Sequence, residues 1–491
     1  MFSILHISDL HRSIDDPISN DELMSALVGD RSRYVREDPA IRSPDAIVIS
    51  GDIIQGVPLG TQDAPAKIAS QYAAAEAFIV ELTNRFLDGD RSKVVLIPGN
   101  HDIDWVTARS AMNLVGVEDQ PKGNLASELF REDTPYRWSW KTRELYRIGD
   151  QATYARRLEA FWTFFERFYE NVPGLLKVRP RSPANLYSLQ NGRIGLSAFD
   201  SCHGNDCFAF HGSIPREVVA RAHLDLVEEG NNFELLIAVW HHNVEGPPYR
   251  NDYMDIDIVR GMIGRGFRIG LFGHQHRPEA VPHQIHLAAR ETMAVIGAGS
   301  LCAGARELPL GAHRGYNIIE VTDDMKGARV HVREAGAVAN LFGPSRRPAF
   351  GGKSYTDLSW DPPADLMGRP IDQTDVALRS AVQGAERLLN DGLSHKAVSE
   401  LLPYRNRLPE FGRRLLIEAV RASGDYPLLI DILTPPGTIT ELVDLVEVCV
   451  ANRRFEPART FLLEHGARLA VSEPTAAELR SRIDASEAIA R

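Results

Sequence analysis

The chain has 491 residues, 44% of them hydrophobic and 25% charged, with a mean hydropathy of −0.22. That length allows about two to four domains, and the composition excludes wholesale disorder. A net charge of −11 excludes the global positive field of a histone-like nucleic-acid binder, leaving only a local basic groove open to nucleic acid.

Short apolar runs bounded by turn residues read as buried strands. In chain order these are Phe2–Ser8, Ala46–Ser50, Val94–Ile97, Ile194–Phe199, Leu235–Trp240, Ile269–Phe272, Met293–Ile296 and Asn317–Val321. Helical spacing separates many of them, over Ala66–Phe86 (apolar at Ile68, Tyr72, Ala75, Ile79, Leu82 and Phe86) and over Pro215–Glu229. Such alternation predicts an α/β domain with largely buried sheets, over residues 1–340. Leu186–Leu189, the turn pair Asn191-Gly192 and Ile194–Phe199 predict a hairpin.

Residues 103–181 form an aromatic-rich insertion, helical from about Thr153 to Tyr169 and expected as a lid or wall over a site. Its stripe Phe161, Phe164, Phe165 and Phe168 has the spacing of a packing face rather than of a base-stacking platform. Glycines and prolines without periodicity predict a linker over 341–370, where Arg346-Arg347 reads as a solvated pair. Residues 371–491 read as an all-α domain. His395–Leu402, Tyr426–Leu433 and Glu456–Leu463 resemble one another at roughly thirty-residue intervals, a helical repeat of tetratricopeptide-like period.

Cys202, Cys207, Cys302 and Cys449 show neither CxxC pairing nor a ladder of spacings. This fits a reducing compartment rather than a disulfide framework. The N-terminus runs into an apolar stretch, Ile4–Ile7, with no basic region before it and no cleavage site after it. No run has the length of a membrane span. The expectation is a cytoplasmic chain with no membrane partner.

Metal-type residues fall where the predicted strands end. The first ends in Asp9-Leu10-His11, the second in Gly51-Asp52, another in Gly99-Asn100-His101-Asp102. Two more end in Trp240-His241-His242 and Gly273-His274-Gln275-His276. Ligand sites of open α/β sheets lie beyond the carboxyl ends of strands. Along an extended chain residues i and i+2 point to the same side, so the two side chains of Asp9-x-His11, and of His274-x-His276, face one point. Any one of these groups is a weak signal, but five strands delivering them to one edge is not. Two divalent cations about 3.5–4 Å apart can clamp both oxygens of an in-line displacement at phosphorus, with a hydroxide between them as nucleophile.

These blocks, in this order, resemble the signature of the calcineurin-like metallophosphoesterase superfamily, over about residues 1–335. The resemblance implies a metallophosphoesterase β-sandwich flanked by helices. It implies one metal held by Asp9, His11, Asp52 and His276, and a second by Asp52, Asn100, His241 and His274, with Asp52 bridging. His101 is then the residue that contacts the phosphate and protonates the leaving group, oriented by Asp102. Of the adjacent pair, His241 is favoured as the ligand and His242 as a neighbour of the substrate. Arg12 either binds a phosphate oxygen or faces solvent. Asn100 lies where it also touches substrate. Mn²⁺, Fe or Zn²⁺ suits the mixed nitrogen and oxygen donors.

Asp200-Ser201 reaches the ligating histidines from outside or caps a turn. His203, His211, His283, His286 and His313 read as ordinary surface or core residues, although the resemblance puts His211-Gly212 where related chains place a loop near the site. The reaction read from the sequence is hydrolysis of a phosphate ester, with phosphodiesters favoured because the segment from Asn185-Leu186-Tyr187 to Asp200-Ser201 is similar to the cyclic-nucleotide phosphodiesterase branch. Other readings are a phosphomonoesterase, a nuclease subunit acting on DNA or RNA with a protein partner docked on the helical domain, and a non-catalytic adaptor.

Overall fold

A computed structural model describes the chain outside residues 14–17, 122, 124, 130, 132, 229–232, 245–251, 285–291, 304–307, 309–311, 337–340, 348–349, 361–377, 379–380, 383, 387, 390–391, 409, 438, 470, 472 and 491. The described residues divide into two compact units, residues 1–360 and residues 378–490.

The first unit carries the strands β1 (Phe2–Ile7), β2 (Ala46–Ser50), β3 (Val94–Ile97), β4 (Met112–Leu114), β5 (Tyr136–Ser139), β6 (Glu144–Ile148), β7 (Ala184–Leu189) and β8 (Ile194–Phe199). They continue with β9 (Leu235–Val239), β10 (Phe267–Phe272), β11 (Glu279–Gln284), β12 (Thr292–Gly297), β13 (Gly315–Val321), β14 (Gly327–Ala335), β15 (Phe342–Pro344) and β16 (Tyr355–Ser359). Among the described residues one sheet runs β15-β14-β13-β1-β2-β3, with β16 also on β14. A second runs β11-β12-β10-β9-β8-β7. The neighbours β1, β2 and β3 are parallel, as are β8, β9, β10 and β12, while β13 and β14 add antiparallel pairs.

Ile4, Val48, Leu196, Ile237 and Ile269, drawn from both sheets, lie in one buried cluster, so the sheets form a sandwich. Every residue of β1, β2 and β3 is buried, because helices cover the faces that the sandwich leaves open. The helix Ala64–Leu87 buries Ile68, Tyr72, Ala75, Ile79, Leu82 and Phe86, the face its spacing predicts. The helix Asn20–Arg31 starts at Ser19, whose side chain accepts from the Glu22 N–H.

The insertion builds a small sheet, β4-β6-β5, and the helix Glu159–Phe168. Phe161, Phe164, Phe165 and Phe168 of that helix are buried in the main core, and Phe164 stacks on Tyr72. This face of the expected lid is therefore core. The expected linker also differs. Residues 342–344 and 355–359 pair with β14, while 361–370 lie outside the described residues. Gly351 and Gly352, both at positive φ, form a turn between the two short edge strands.

The second unit is helical: Ser394–Leu401, Glu410–Ser423, Tyr426–Leu433, Ile439–Ala451, Phe455–Gly466 and Glu473–Ala490. Each of the three resembling segments is a helix followed by a longer one. Leu401, Leu416, Leu433, Leu445, Ala458 and Ile483 share its buried core.

Candidate metal centre

Five loops meet at one end of the sandwich, after β1, β2 and β3 in one sheet and after β9 and β10 in the other. Backbone bonds lace them together. Asp9 N–H donates to Gly51 O (3.1 Å), His11 N–H to Asp52 O (3.0 Å) and Gly273 N–H to His241 O (3.0 Å). His274 N–H donates to the Asp9 carboxylate (3.1 Å), and the Ser300 hydroxyl to Asp9 O (2.7 Å).

The pairs Asp9/His11 and His274/His276 do converge, but not by the pleat of an extended strand. Asp9 (φ 50°), His11 (φ 43°), Asp52 (φ 52°), His274 (φ 72°) and His276 (φ 53°) all take left-handed backbone. Non-glycine residues seldom do so, at a cost of about 1–2 kcal/mol each. The strands end just before these residues and the chain turns sharply, aiming successive side chains inward.

Asp9, His11, Asp52 and His276 place ligand atoms within 4.8 Å of one another, and so do Asp52, His241 and His274. Asp52 is common to both groups. Asn100 completes the second, its Oδ1 lying 3.1 Å from His241 Nε2 and 2.9 Å from His274 Nδ1.

The donor set suits cations. His241 Nδ1 sits 2.8 Å from Ser50 O, a bond that requires the proton on Nδ1. Nε2 therefore turns a lone pair toward Asp52 Oδ2, 3.2 Å away, and only a proton or a cation between them makes that approach favourable. His11 Nε2 and His276 Nε2 stand 3.1 Å apart with Asp9 Oδ1 3.2 Å from the latter, posing the same demand. The surroundings are cut to this shape. A Cβ on Gly99 would lie 2.2 Å from Asp52 Oδ1 and 2.8 Å from His241 Nε2.

The electrostatics agree. Burial opposes ionisation of Asp9, yet His276 and His11 hold its carboxyl well below the usual range. Burial likewise disfavours a charged His241, but Asp52 raises it to about 9. In His11 burial prevails and the pKa falls. A buried site that stabilises two carboxylates by adjacent imidazoles is also one that accepts cations in place of the protons.

Three expected roles do not hold. Asp102 does not orient His101: its Oδ2 accepts from Gly99 N–H (2.8 Å) and Ile53 N–H (3.1 Å), and its Oδ1 from the Tyr72 hydroxyl (2.9 Å). Burial, with Asp52 nearby, pushes it up to about 7. It is a brace for the loop carrying Asn100. His101 Nδ1 instead faces Gln55 O at 2.8 Å. Arg12 is buried and neither binds at the surface nor faces solvent, donating from Nη1 to Cys302 Sγ (3.0 Å) and from Nη2 to Ile18 O (3.2 Å). His242 is buried with both ring nitrogens engaged, Nδ1 with the Ser201 hydroxyl (2.9 Å) and Nε2 with Asn205 Nδ2 (3.1 Å). Burial first, then His274 and His241, keeps it neutral. That places His242 behind the cluster and His241 in it.

Sequence reasoning missed Gln55, Asn205 and Asp252. Gln55 acts through its carbonyl, which no side-chain pattern reveals. Asn205 lies in an irregular loop, and Asp252 Oδ2 comes within 3.6 Å of His274 Nε2 from a segment without a motif. Ser201, expected near the histidines, accepts from His241 N–H at 3.1 Å.

A sandwich of two mixed sheets with buried histidines and carboxylates converging at the ends of its parallel strands is the architecture of metal-dependent phosphoester hydrolases. The chain belongs to the calcineurin-like phosphoesterase family, whose model matches residues 2–278. That family works through a dimetal centre. Similar solved structures include a dimetal phosphatase from Danio rerio, at 10% identity over 73% of this chain and 99% of that one, with a TM-score of 0.36. PhoD aligns at 11% identity over 73% of this chain and 68% of that one (TM-score 0.36). The calcineurin-like phosphoesterase YfkN from Bacillus subtilis aligns at 12% over 76% and 94% (TM-score 0.28). No curated protein matches the chain. Among the described residues no helix is long and apolar enough to cross a membrane.

Proposed function

We propose that the protein hydrolyses small phosphodiesters at two metal ions, one held by Asp9, His11, Asp52 and His276 and the other by Asp52, Asn100, His241 and His274. The observation that carries this reading is the sharing of Asp52 between two ligand groups. A bound pair of divalent cations, of the Mn²⁺, Fe or Zn²⁺ type, supplies Lewis-acid polarisation of the phosphoryl oxygens and a more acidic water. Asp52 and Asp9 carry the negative charge, and neutral imidazoles complete the set, so the site stays attractive to an anionic ester. His101 holds Nδ1–H on the Gln55 carbonyl, so the proton it passes to the departing oxygen is the one that its imidazolium form carries on Nε2, leaving the neutral Nδ1–H ring behind. Its ring lies edge-on to His11, centroids 4.5 Å apart, and its backbone N–H donates to Asp52 Oδ1 at 2.8 Å. Four buried cysteines without disulfide partners suit a cytoplasmic setting.

The test is metal content and turnover of the purified full chain. Two equivalents of metal and faster hydrolysis of bis-p-nitrophenyl phosphate than of p-nitrophenyl phosphate are expected. Asp52→Asn should lose metal and activity together. His101→Ala should keep the metals and lower kcat by roughly 10²–10⁴-fold. A single bound ion, or diester turnover indifferent to Asp52→Asn, refutes the reading.

A further inference from the structure

A histidine that ligates a metal through one ring nitrogen carries its proton on the other, and the group that accepts this proton fixes the ring. For His241 the outer atom is Nδ1, which donates to Ser50 O at 2.8 Å. For His274 the arrangement is reversed. Its Nδ1 faces Asn100 Oδ1 at 2.9 Å, inside the group it forms with Asp52 and His241, so Nε2 is the outer atom. That nitrogen is sealed from bulk water and makes no hydrogen bond among the described residues. The part-exposed Asp252 carboxylate stands opposite it, Oδ2 at 3.6 Å. The separation exceeds a formed hydrogen bond by a few tenths of an ångström, a gap that a small side-chain rotation closes.

We infer that Asp252 is a positioning residue for the second metal: it accepts the Nε2–H of His274 and so holds the ring with its Nδ1 lone pair on the ion shared with Asp52, Asn100 and His241. The inference rests on the proposed two-metal reading and adds a residue that lies outside every ligand block. Chemistry is the first argument. A buried N–H without an acceptor is penalised, and a carboxylate acceptor removes that penalty while making the opposite nitrogen a better donor to a cation. The second argument is how Asp252 is held. It stands on the segment that leads from His241 to the helix Ile256–Ile263. Met254 is wholly buried in one cluster with Trp240, Ile258 and Met262, and its N–H donates to Asn243 O at 2.7 Å. Asp255 then caps the helix, accepting from Asp257 N–H at 2.9 Å. These two anchors set where the carboxylate stands. One stretch of chain thus supplies the ligand His241 and the acceptor behind the ligand His274. The third argument is selectivity, because His274 belongs to the second ligand group and not to the first.

Titration of the metal-free full chain with Mn²⁺, followed by calorimetry and electron paramagnetic resonance, tests this without any turnover. The unaltered chain is expected to take up two ions and to show the exchange-coupled spectrum of a manganese pair. Asp252→Ala should weaken one ion by about 10–100-fold and leave the other within about threefold. At low free Mn²⁺ that variant should show the hyperfine spectrum of an isolated ion in place of the coupled one. Asp252→Asn keeps an amide oxygen to accept from Nε2–H, and should return the weakened ion to within about threefold of the unaltered chain. Two ions bound unchanged by the alanine variant overturn the inference. Equal weakening of both ions overturns it too, since that is what a general loosening of the loops produces, and so does an asparagine variant no tighter than the alanine one. A single ion in the unaltered chain, with no coupled spectrum, overturns the two-metal reading itself and the inference with it.

Discussion

At the scale of single residues, the candidate ligands are held in unfavourable backbone so that their side chains can meet. Five of them sit at positive φ, and each carries a strain that the laced loops must hold. Space is equally constrained. Gly99 has ordinary φ, so a larger residue there is excluded by contact rather than by conformation: its Cβ would fall 2.4 Å from the Asp52 nitrogen as well as 2.2 Å from Oδ1. Gly99→Ala is therefore expected to displace Asp52 and to lower bound metal, read by elemental analysis, from two equivalents to one or fewer in a chain with near-normal far-ultraviolet circular dichroism. Two tightly bound ions in that variant would show that Asp52 is not fixed by this glycine. These candidate ligands were legible in the sequence because their types and order are distinctive. Their neighbours were not. Asp102, Arg12 and His242 look reactive on paper, and what each does depends on Tyr72, Cys302 and Asn205, residues brought there only by the fold.

At the scale of elements, short continuous apolar runs such as Ala46–Ser50 and Val94–Ile97 were legible because burial on both faces leaves an unbroken hydrophobic signature. The edge strands β15 and β16 were not, since Phe342 is their one buried residue and Gly343 and Pro344 interrupt β15. They still matter to the sandwich: Phe342 and Trp360 are buried, and the Trp360 indole donates to Met325 O at 3.0 Å. A chain ended at residue 340 should aggregate through the bared edge of β14, whereas one ended at 362 should elute without aggregates in size-exclusion chromatography. Strand β14 also ties the sandwich to the helix Asn20–Arg31 through Arg333, which donates to both Asp30 oxygens (2.6 and 2.9 Å), the whole group being buried. Arg333→Met leaves Asp30 only the part-exposed Arg33 guanidinium (2.8 Å) and the Tyr316 hydroxyl (2.5 Å), and should cost about 3 kcal/mol in urea denaturation. Although burial opposes it, Arg333 holds the Asp30 carboxyl below its ordinary 3.8. A depressed acid stabilises the fold above its unfolded pKa and loses that contribution as pH falls through the folded value. The deficit of Arg333→Met relative to the unaltered chain should accordingly shrink as the pH is lowered below about 4.

At the scale of the whole molecule, the described residues hold two separate cores, one around the sandwich and one among the C-terminal helices. Units with cores of their own generally unfold as units of their own. All the candidate ligands lie in the first unit, so metal stabilises that unit through its affinity for the folded state, by about 2.7 kcal/mol at a free concentration one hundred times Kd. Five ligands in left-handed backbone strengthen the coupling, because cation binding rewards a geometry that the bare loops hold at a cost. Calorimetry of the full chain should thus give two transitions, with Mn²⁺ moving one and leaving the other in place. The fixed transition should vanish, and the metal-sensitive one persist, in the chain ended at residue 362. A single transition that moves as a whole with metal would instead make the two cores one cooperative system. Removing the helices would then destabilise the site itself, which the truncated chain would report as a lower midpoint even at saturating Mn²⁺.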